Sequence, residues 1–208
     1  MLNRILDDSA RIEYALAIAE LWKFAPEMMK RKLERANVQQ AFVYDTVKKF
    51  AQLTDEILSV GAYEDTAYES LKNQGYKVLG LDPCLGTGTL EEAISAKYKV
   101  VFSTSVLEHV QNDEEHVRCM CRSIQPSGYG IMTVDFQPGY VPGSSRLPTT
   151  DFRFYSKEDL VNRIIPVIRE EKCELVDSPN WDCKTVDFEW EGIPYTFATM
   201  VFQKDANT

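Results

Sequence analysis

The chain has 208 residues, 44% of them hydrophobic, and a formal charge of −9 at pH 7. That length suits one domain with one substantial core, and the acidity argues against a large phosphate-neutralising surface and so against nucleic acid as a partner. No run of about 18 apolar residues occurs, MLNRILDDSARIEYA lacks the apolar segment of a secretion signal, and the five cysteines contain no C-x-x-C pair, so the expectation is a cytoplasmic protein with reduced thiols and no membrane partner.

Ile12, Ala15, Leu16, Ala19 and Trp22 recur at spacings of three and four, which puts them on one helical face, and Pro26 suits the first turn of a following helix. The basic run Lys30, Arg31, Lys32, Arg35 is interleaved with Glu27 and Glu34 and reads as a solvated face. A further helix spans about 38–53, with Phe42, Val43, Val47 and Phe50 inward. Residues 1–53 are therefore expected to form a helical cap on the domain whose core is 54–208.

From Thr54 the pattern changes. Ile57 to Val60 is a short apolar strand closed by Gly61, a helix follows from about Asp65 to Gln74, and VLGL at 78–81 forms a second strand ending at Asp82-Pro83. Strand, crossover helix, strand and terminal acid make the first half of a nucleotide-binding unit, and a carboxylate at that tip can accept hydrogen bonds from both ribose hydroxyls. Gly61-Ala62-Tyr63-Glu64-Asp65-Thr66 is no G-x-G-x-x-G fingerprint, and its carboxylates would repel a pyrophosphate; Gly86-Thr87-Gly88-Thr89 lacks the lysine of a P-loop. A nucleoside without phosphates remains, and an acidic, glycine-opened turn suits one that carries an amino group and a sulfonium.

Residues 99–135 read as strand, helix, tight turn at Pro126-Ser127-Gly128, and strand, a βαβ unit of a parallel sheet. Ligands of such sheets bind outside the carboxyl ends of the strands, which marks Ser103 to His109 and Asp135 as chemistry-bearing positions. Phe136 to Thr150 is a long Pro- and Gly-rich segment expected to act as a lid, and Ser156 is a good N-cap for the helix after it. Cys173 to Val176 and Tyr195 to Phe202 supply two more strands, with a β-hairpin between them around Trp181 to Pro194 in which the tryptophans are expected to pack.

ILSVG at 57–61, VLGLD at 78–82, KVVFSTSVLEHV at 99–110, QPSGYGIMTVDF at 125–136 and RFYSKEDL at 153–160 together resemble the class I S-adenosylmethionine-dependent methyltransferases, in particular the small bacterial ones of polysaccharide and other small-molecule pathways. The resemblance covers roughly residues 55–202. It implies an α/β, Rossmann-like, seven-stranded and mostly parallel sheet whose last strand is antiparallel. Only residues 83–99 separate Asp82 from the fourth-strand run, so the third-strand region is abbreviated, and Ser127 stands where the family often has glycine.

The resemblance implies S-adenosylmethionine as cofactor, with S-adenosylhomocysteine as product and no metal. Gly61, Ala62 and Tyr63 would lie along its methionine part, Asp82 on the ribose, Thr89 and Leu90 by the adenine, and Ser103, Ser105 and Val106 again by the methionine. Glu108 and His109 are the candidate catalytic pair, His109 as base and Glu108 orienting it, because histidine titrates near neutrality. Asp135, Arg153 and Tyr155 are candidates for binding a small polar acceptor, expected to be a hydroxyl of a sugar or other metabolite. The strand-four turn is not the N/D-P-P-aromatic turn of nucleobase amino methylation. A non-catalytic scaffold that kept the sheet and lost the cofactor is the other reading, and the oligomeric state is left open.

Overall fold

The computed structural model describes residues 1–32, 34–94, 98–141, 153–190 and 192–208. In chain order, β1 (Ile5–Leu6) leads into α1 (Ala10–Glu13), α2 (Ala15–Phe24), α3 (Pro26–Met29) and α4 (Asn37–Phe50). Then come β2 (Glu56–Val60), α5 (Thr66–Asn73), β3 (Lys77–Leu81), β4 (Tyr98–Thr104), α6 (Asp113–Ser123) and β5 (Ile124–Phe136). The last part holds α7 (Lys157–Asp159), α8 (Ile165–Glu170), β6 (Cys173–Leu175), β7 (Phe188–Trp190) and β8 (Ile193–Lys204).

β3, β2, β4 and β5 lie side by side and parallel, and β8 closes on β5 antiparallel, from Tyr129↔Gln203 to Phe136↔Thr196. β1 and β6 pair antiparallel with the outer edge of β8, and β7 pairs with its start through a hairpin. The fold is thus the mixed, mostly parallel Rossmann-like sheet implied by the sequence. It has eight strands instead of seven, because the expected hairpin adds β7 and the N-terminal residues add β1, a two-residue strand that no apolar run announces. Between β3 and β4 the described residues form two short 3₁₀ turns, Pro83–Leu85 and Glu91–Ala93, in place of helix and strand.

Two apolar layers sandwich the sheet. On one face α6, the 160–168 helix and Trp181 pack over Leu58, Val101 and Met132; on the other, α2, α4 and α5 pack over Ile57, Val100, Phe102 and Ile131. In α4, Val38, Ala41, Phe42, Val43 and Val47 are fully buried; at about 1.5–3 kcal/mol for each large side chain this is a principal anchor of the N-terminal helices. Trp181 is buried as expected, its Nε1 donating to the Thr199 carbonyl at 3.1 Å.

One reading is corrected and two are sharpened. Ile12, Ala15, Leu16, Ala19 and Trp22 do share a helical side, but it faces solvent, with Ile12 83% and Leu16 84% exposed. Ala10, Tyr14, Ala17 and Leu21 turn inward instead. The segment is apolar all round, so periodicity alone does not choose a face, and alanines allow closer approach to α4 than Leu16 would. Pro126-Ser127-Gly128 is not a turn before β5 but a bulge within it: Tyr98 pairs Ile124, then the register shifts so that Val100 pairs Tyr129. Phe50 packs against the inner layer as expected, though only partly buried, and stacks on Tyr129 with centroids 4.0 Å apart.

Candidate functional site

At the carboxyl ends of β2 and β3 a cavity of about 250 Å³ opens. Gly61, Asp82, Thr89, Leu90 and Val106, which the sequence reading scattered over 45 positions, all line it. Gly61 adopts φ +77°, and a Cβ there would come within 2.3 Å of Val106 Cγ2. Glycine is therefore required both by the left-handed backbone and by the contact between the two strand-end turns. The Gly61 and Ala62 N–H groups both donate to the Leu81 carbonyl, at 2.9 and 3.2 Å, which ties the β2 turn to the tip of β3.

Asp82 stands at that tip. Its Oδ2 accepts from the Tyr63 N–H at 3.1 Å and its Oδ1 from the Cys84 N–H at 2.7 Å. These bonds fix the carboxylate at the cavity wall, and each oxygen keeps a lone pair for a ligand hydroxyl. Tyr63 itself is half exposed and Ala62 is buried, so they shape the turn rather than line the cavity. Leu90 is buried, and Thr89 is held by its N–H donating to Glu92 Oε2 at 2.9 Å. The remaining wall includes two residues that sequence reasoning missed as lining, Val110 and His116. For His116 the available signal is its place on the buried side of α6.

A purine nucleoside fits this wall. It is mostly apolar, carries the Asp82 carboxylate at the tip of β3, and has a glycine turn whose N–H groups are committed to the Leu81 carbonyl and so leave a phosphate no donors there. Among the described residues no cluster of three His, Cys, Asp or Glu side chains is placed to hold a metal ion.

A second polar group lies at the ends of β4 and β5. Ser105, at φ +48°, places its Oγ 3.1 Å from Asp135 Oδ1 and also against Gln39 Oε1 from α4. Gln39 receives Thr133 Oγ1 as well, at 3.0 Å. Glu108 is fully buried on the 107–109 turn, its Oε1 accepting from the Asp135 N–H at 3.3 Å while its Oε2 has no partner. Burial, then the neighbouring Asp135 charge, pushes the Glu108 carboxyl far above the usual carboxylate range. Asp135 is pushed up to about 6 by burial, against hydrogen bonds from Glu108 and Ser105 that lower it. Two carboxyls buried this close together cannot both ionise cheaply, and both are pushed toward the protonated form. Tyr195 is buried close by, its hydroxyl pKa raised by burial and by both carboxylates. Ser103 is buried within β4, opposite Met132, and reaches neither group of residues.

His109 shares the turn of Glu108, but its side chain is exposed and outside the cavity. Arg153 and Tyr155 hold this turn in place. The Arg153 N–H donates to the Glu108 carbonyl at 3.1 Å, its guanidinium to the Val110 carbonyl at 2.7 Å, and it pairs with Asp113 at 3.2 Å. Tyr155 is fully buried, with its hydroxyl donating to Asp113 Oδ2 at 2.9 Å. Both polar ends are committed to the fold, because Asp113 is a buried carboxylate that needs cationic and hydroxyl partners; Arg163 supplies another at 2.8 Å. In the expected lid, residues 142–150 lie outside the described residues; Tyr140 packs edge-on against Phe154.

No protein-family model and no curated protein sequence matches the chain. Solved structures do. A protein of Galdieria sulphuraria described as a putative sarcosine dimethylglycine methyltransferase superposes with TM-score 0.56 at 13% identity, covering 96% of this chain and 99% of that one. The Burkholderia thailandensis 1,6-didemethyltoxoflavin-N1-methyltransferase, solved with S-adenosylhomocysteine, gives 0.53 at 17%, covering 93% and 90%. A putative S-adenosylmethionine-dependent methyltransferase from Listeria monocytogenes gives 0.50 at 12%, covering 78% and 97%. The chain has the fold of the class I S-adenosylmethionine-dependent methyltransferases.

Proposed function

We propose that this protein transfers the methyl group of S-adenosylmethionine to a small polar acceptor, with a hydroxyl of a sugar or other metabolite as the acceptor class. The observation that carries this reading is the meeting of Gly61, Asp82, Leu90 and Val106 in one nucleoside-sized cavity at the carboxyl edge of the sheet. Asp82 would hold the ribose, Leu90 and Val106 the base, and the Gly61 turn the methionine part. When bound, the sulfonium supplies a methyl carbon already activated for in-line displacement.

What the chain then contributes is alignment, exclusion of water and the handling of one proton. We place that last task in the Glu108–Asp135 pair rather than in His109. A carboxylate titrating near 6 is matched to accepting a hydroxyl proton, and the pair is buried whereas His109 is not. Arg153 and Tyr155 serve this site by fixing the turn that carries Glu108.

Calorimetric titration with S-adenosylhomocysteine tests the reading. Binding is expected, and Asp82→Ala should weaken it by about 1–3 kcal/mol through lost charge-assisted hydrogen bonds. No binding at millimolar ligand would return the chain to a non-catalytic scaffold, and an unchanged affinity in Asp82→Ala would place the ribose elsewhere.

A further inference from the structure

His116 lies on α6 and borders the cavity beside Glu91, at the wall made by the short 3₁₀ turn that replaces a third strand. It is 7% exposed, and its Nε2 is buried with no hydrogen-bond partner, the one such side-chain atom among the described residues lining this cavity. A buried polar atom left unpaired is destabilising, and a bound ligand that pairs with it would offset that. Burial also keeps the imidazole neutral near pH 7, its pKa pulled down to about 4 against the opposing influence of Glu91 and Asp113. A neutral imidazole offers one donor and one acceptor, the complement of a purine edge.

Position along the cavity sets which part of a nucleoside meets it. Asp82 marks the ribose at the tip of β3, and Gly61 the side toward β2. Leu90, Glu91, Val110 and His116 form the wall contributed by the 3₁₀ turn, the strand-four turn and α6. Leu90, Val106 and Val110 give apolar surface for a ring face, and His116 adds a polar side chain among them.

We propose that His116 is the base-reading residue of the cofactor site, hydrogen-bonding through Nε2 to the six-position edge of the purine. The assignment rests on the cofactor reading above and goes beyond it, because it moves base recognition from the residues after β3 to a side chain of α6. His116 is the residue that α6 contributes to this wall, beside Leu90 and Glu91 of the β3–β4 connection and Val110 of the strand-four turn.

The test uses the full chain and two probes, S-adenosylhomocysteine and S-inosylhomocysteine, which differ by an amino or an oxo group at the purine six position. The parent should prefer one of them by about tenfold, the worth of one hydrogen bond in a buried site. His116→Leu should bind both within about twofold of each other, and His116→Gln, which keeps a donor and an acceptor, should recover part of the preference. Equal affinities in the parent, or an undiminished preference in folded His116→Leu, overturn the proposal while leaving the cofactor reading intact. A parent that binds neither probe fails at the cofactor reading itself. Should the variants not fold, nitrogen NMR of the histidine-labelled parent decides, since the chain has two histidines. On saturation with S-adenosylhomocysteine the His116 Nε2 resonance should shift, and an unmoved resonance overturns the assignment.

Discussion

Glu108 and Asp135 sit together with less solvent than two carboxylates need, and the fold bears the cost. Asp135 is raised from an ordinary 3.8 to about 6 in the folded chain. The native state therefore binds more protons than the unfolded one between about pH 4 and 6, so this group's contribution to stability falls as pH rises through that window and stays lost above it. Asp135→Asn removes the penalty. At pH 7 the variant should be more stable than the parent by about 1–3 kcal/mol, with the difference shrinking toward pH 4, as urea unfolding at several pH values would record. Methyl transfer by the same variant should drop by about 10²–10⁴. A variant both less stable and fully active would remove the pair from the site. Glu108 was legible as an acid at a strand end; its coupling to Asp135 was not, because the two are 27 residues apart and meet only through adjacent parallel strands.

Among the elements, β5 and the helix after Ser156 show local chemistry resolved in ways that periodicity does not predict. Ser127 sits at φ +60° inside the β5 bulge, a conformation that costs a residue with a side chain about 1 kcal/mol. Ser127→Gly should raise stability by about 0.5–1 kcal/mol and the melting temperature by about 1–3 °C, measured by thermal unfolding; a fall would mean that Ser127 contributes more than its backbone. In the other element, Ser156 caps its helix with a full capping box through Asp159, as its sequence suggested. The helix then widens to a π turn at Leu160–Ile164 before Pro166. Proline lacks an N–H and crowds the carbonyl four residues back, so the wider turn relieves the clash.

At the scale of the whole molecule, the N-terminus is fastened across the sheet by one buried residue. Asn3 Nδ2 donates to Asp177 Oδ1 at 2.7 Å and to the Val201 carbonyl at 3.2 Å, and its Oδ1 accepts from the Val201 N–H at 2.6 Å. Asn3→Ala takes the acceptor from the Val201 N–H, while the Val201 carbonyl keeps the Val176 N–H and Asp177 Oδ1 keeps the Asn3 N–H, so it should cost about 1–3 kcal/mol and lower the melting temperature by about 2–10 °C. Affinity for S-adenosylhomocysteine in the folded variant should stay within about twofold, because β1 and the cavity lie at opposite edges of the sheet. A parallel loss of affinity would show that the edge and the site are coupled.

The amino-acid sequence by itself determined the main strands from Ile57 onward, the parallel βαβ units they build, the abbreviated connection after Asp82, and Gly61 and Asp82 as strand-end positions that line one cavity. Those features are local: apolar runs, a turn glycine and a terminal acid each declare themselves within a few residues. Only the tertiary structure decided which side of α2 faces the core, that Gln39 reaches Ser105 and Thr133, that Arg153 and Tyr155 anchor a turn, and that Glu108 and Asp135 are buried side by side. It also decided that His116 is buried against the cavity. Each of these depends on what a second, distant segment places opposite the side chain, and the free energy of a buried polar group is set by that neighbour rather than by its own stretch of chain.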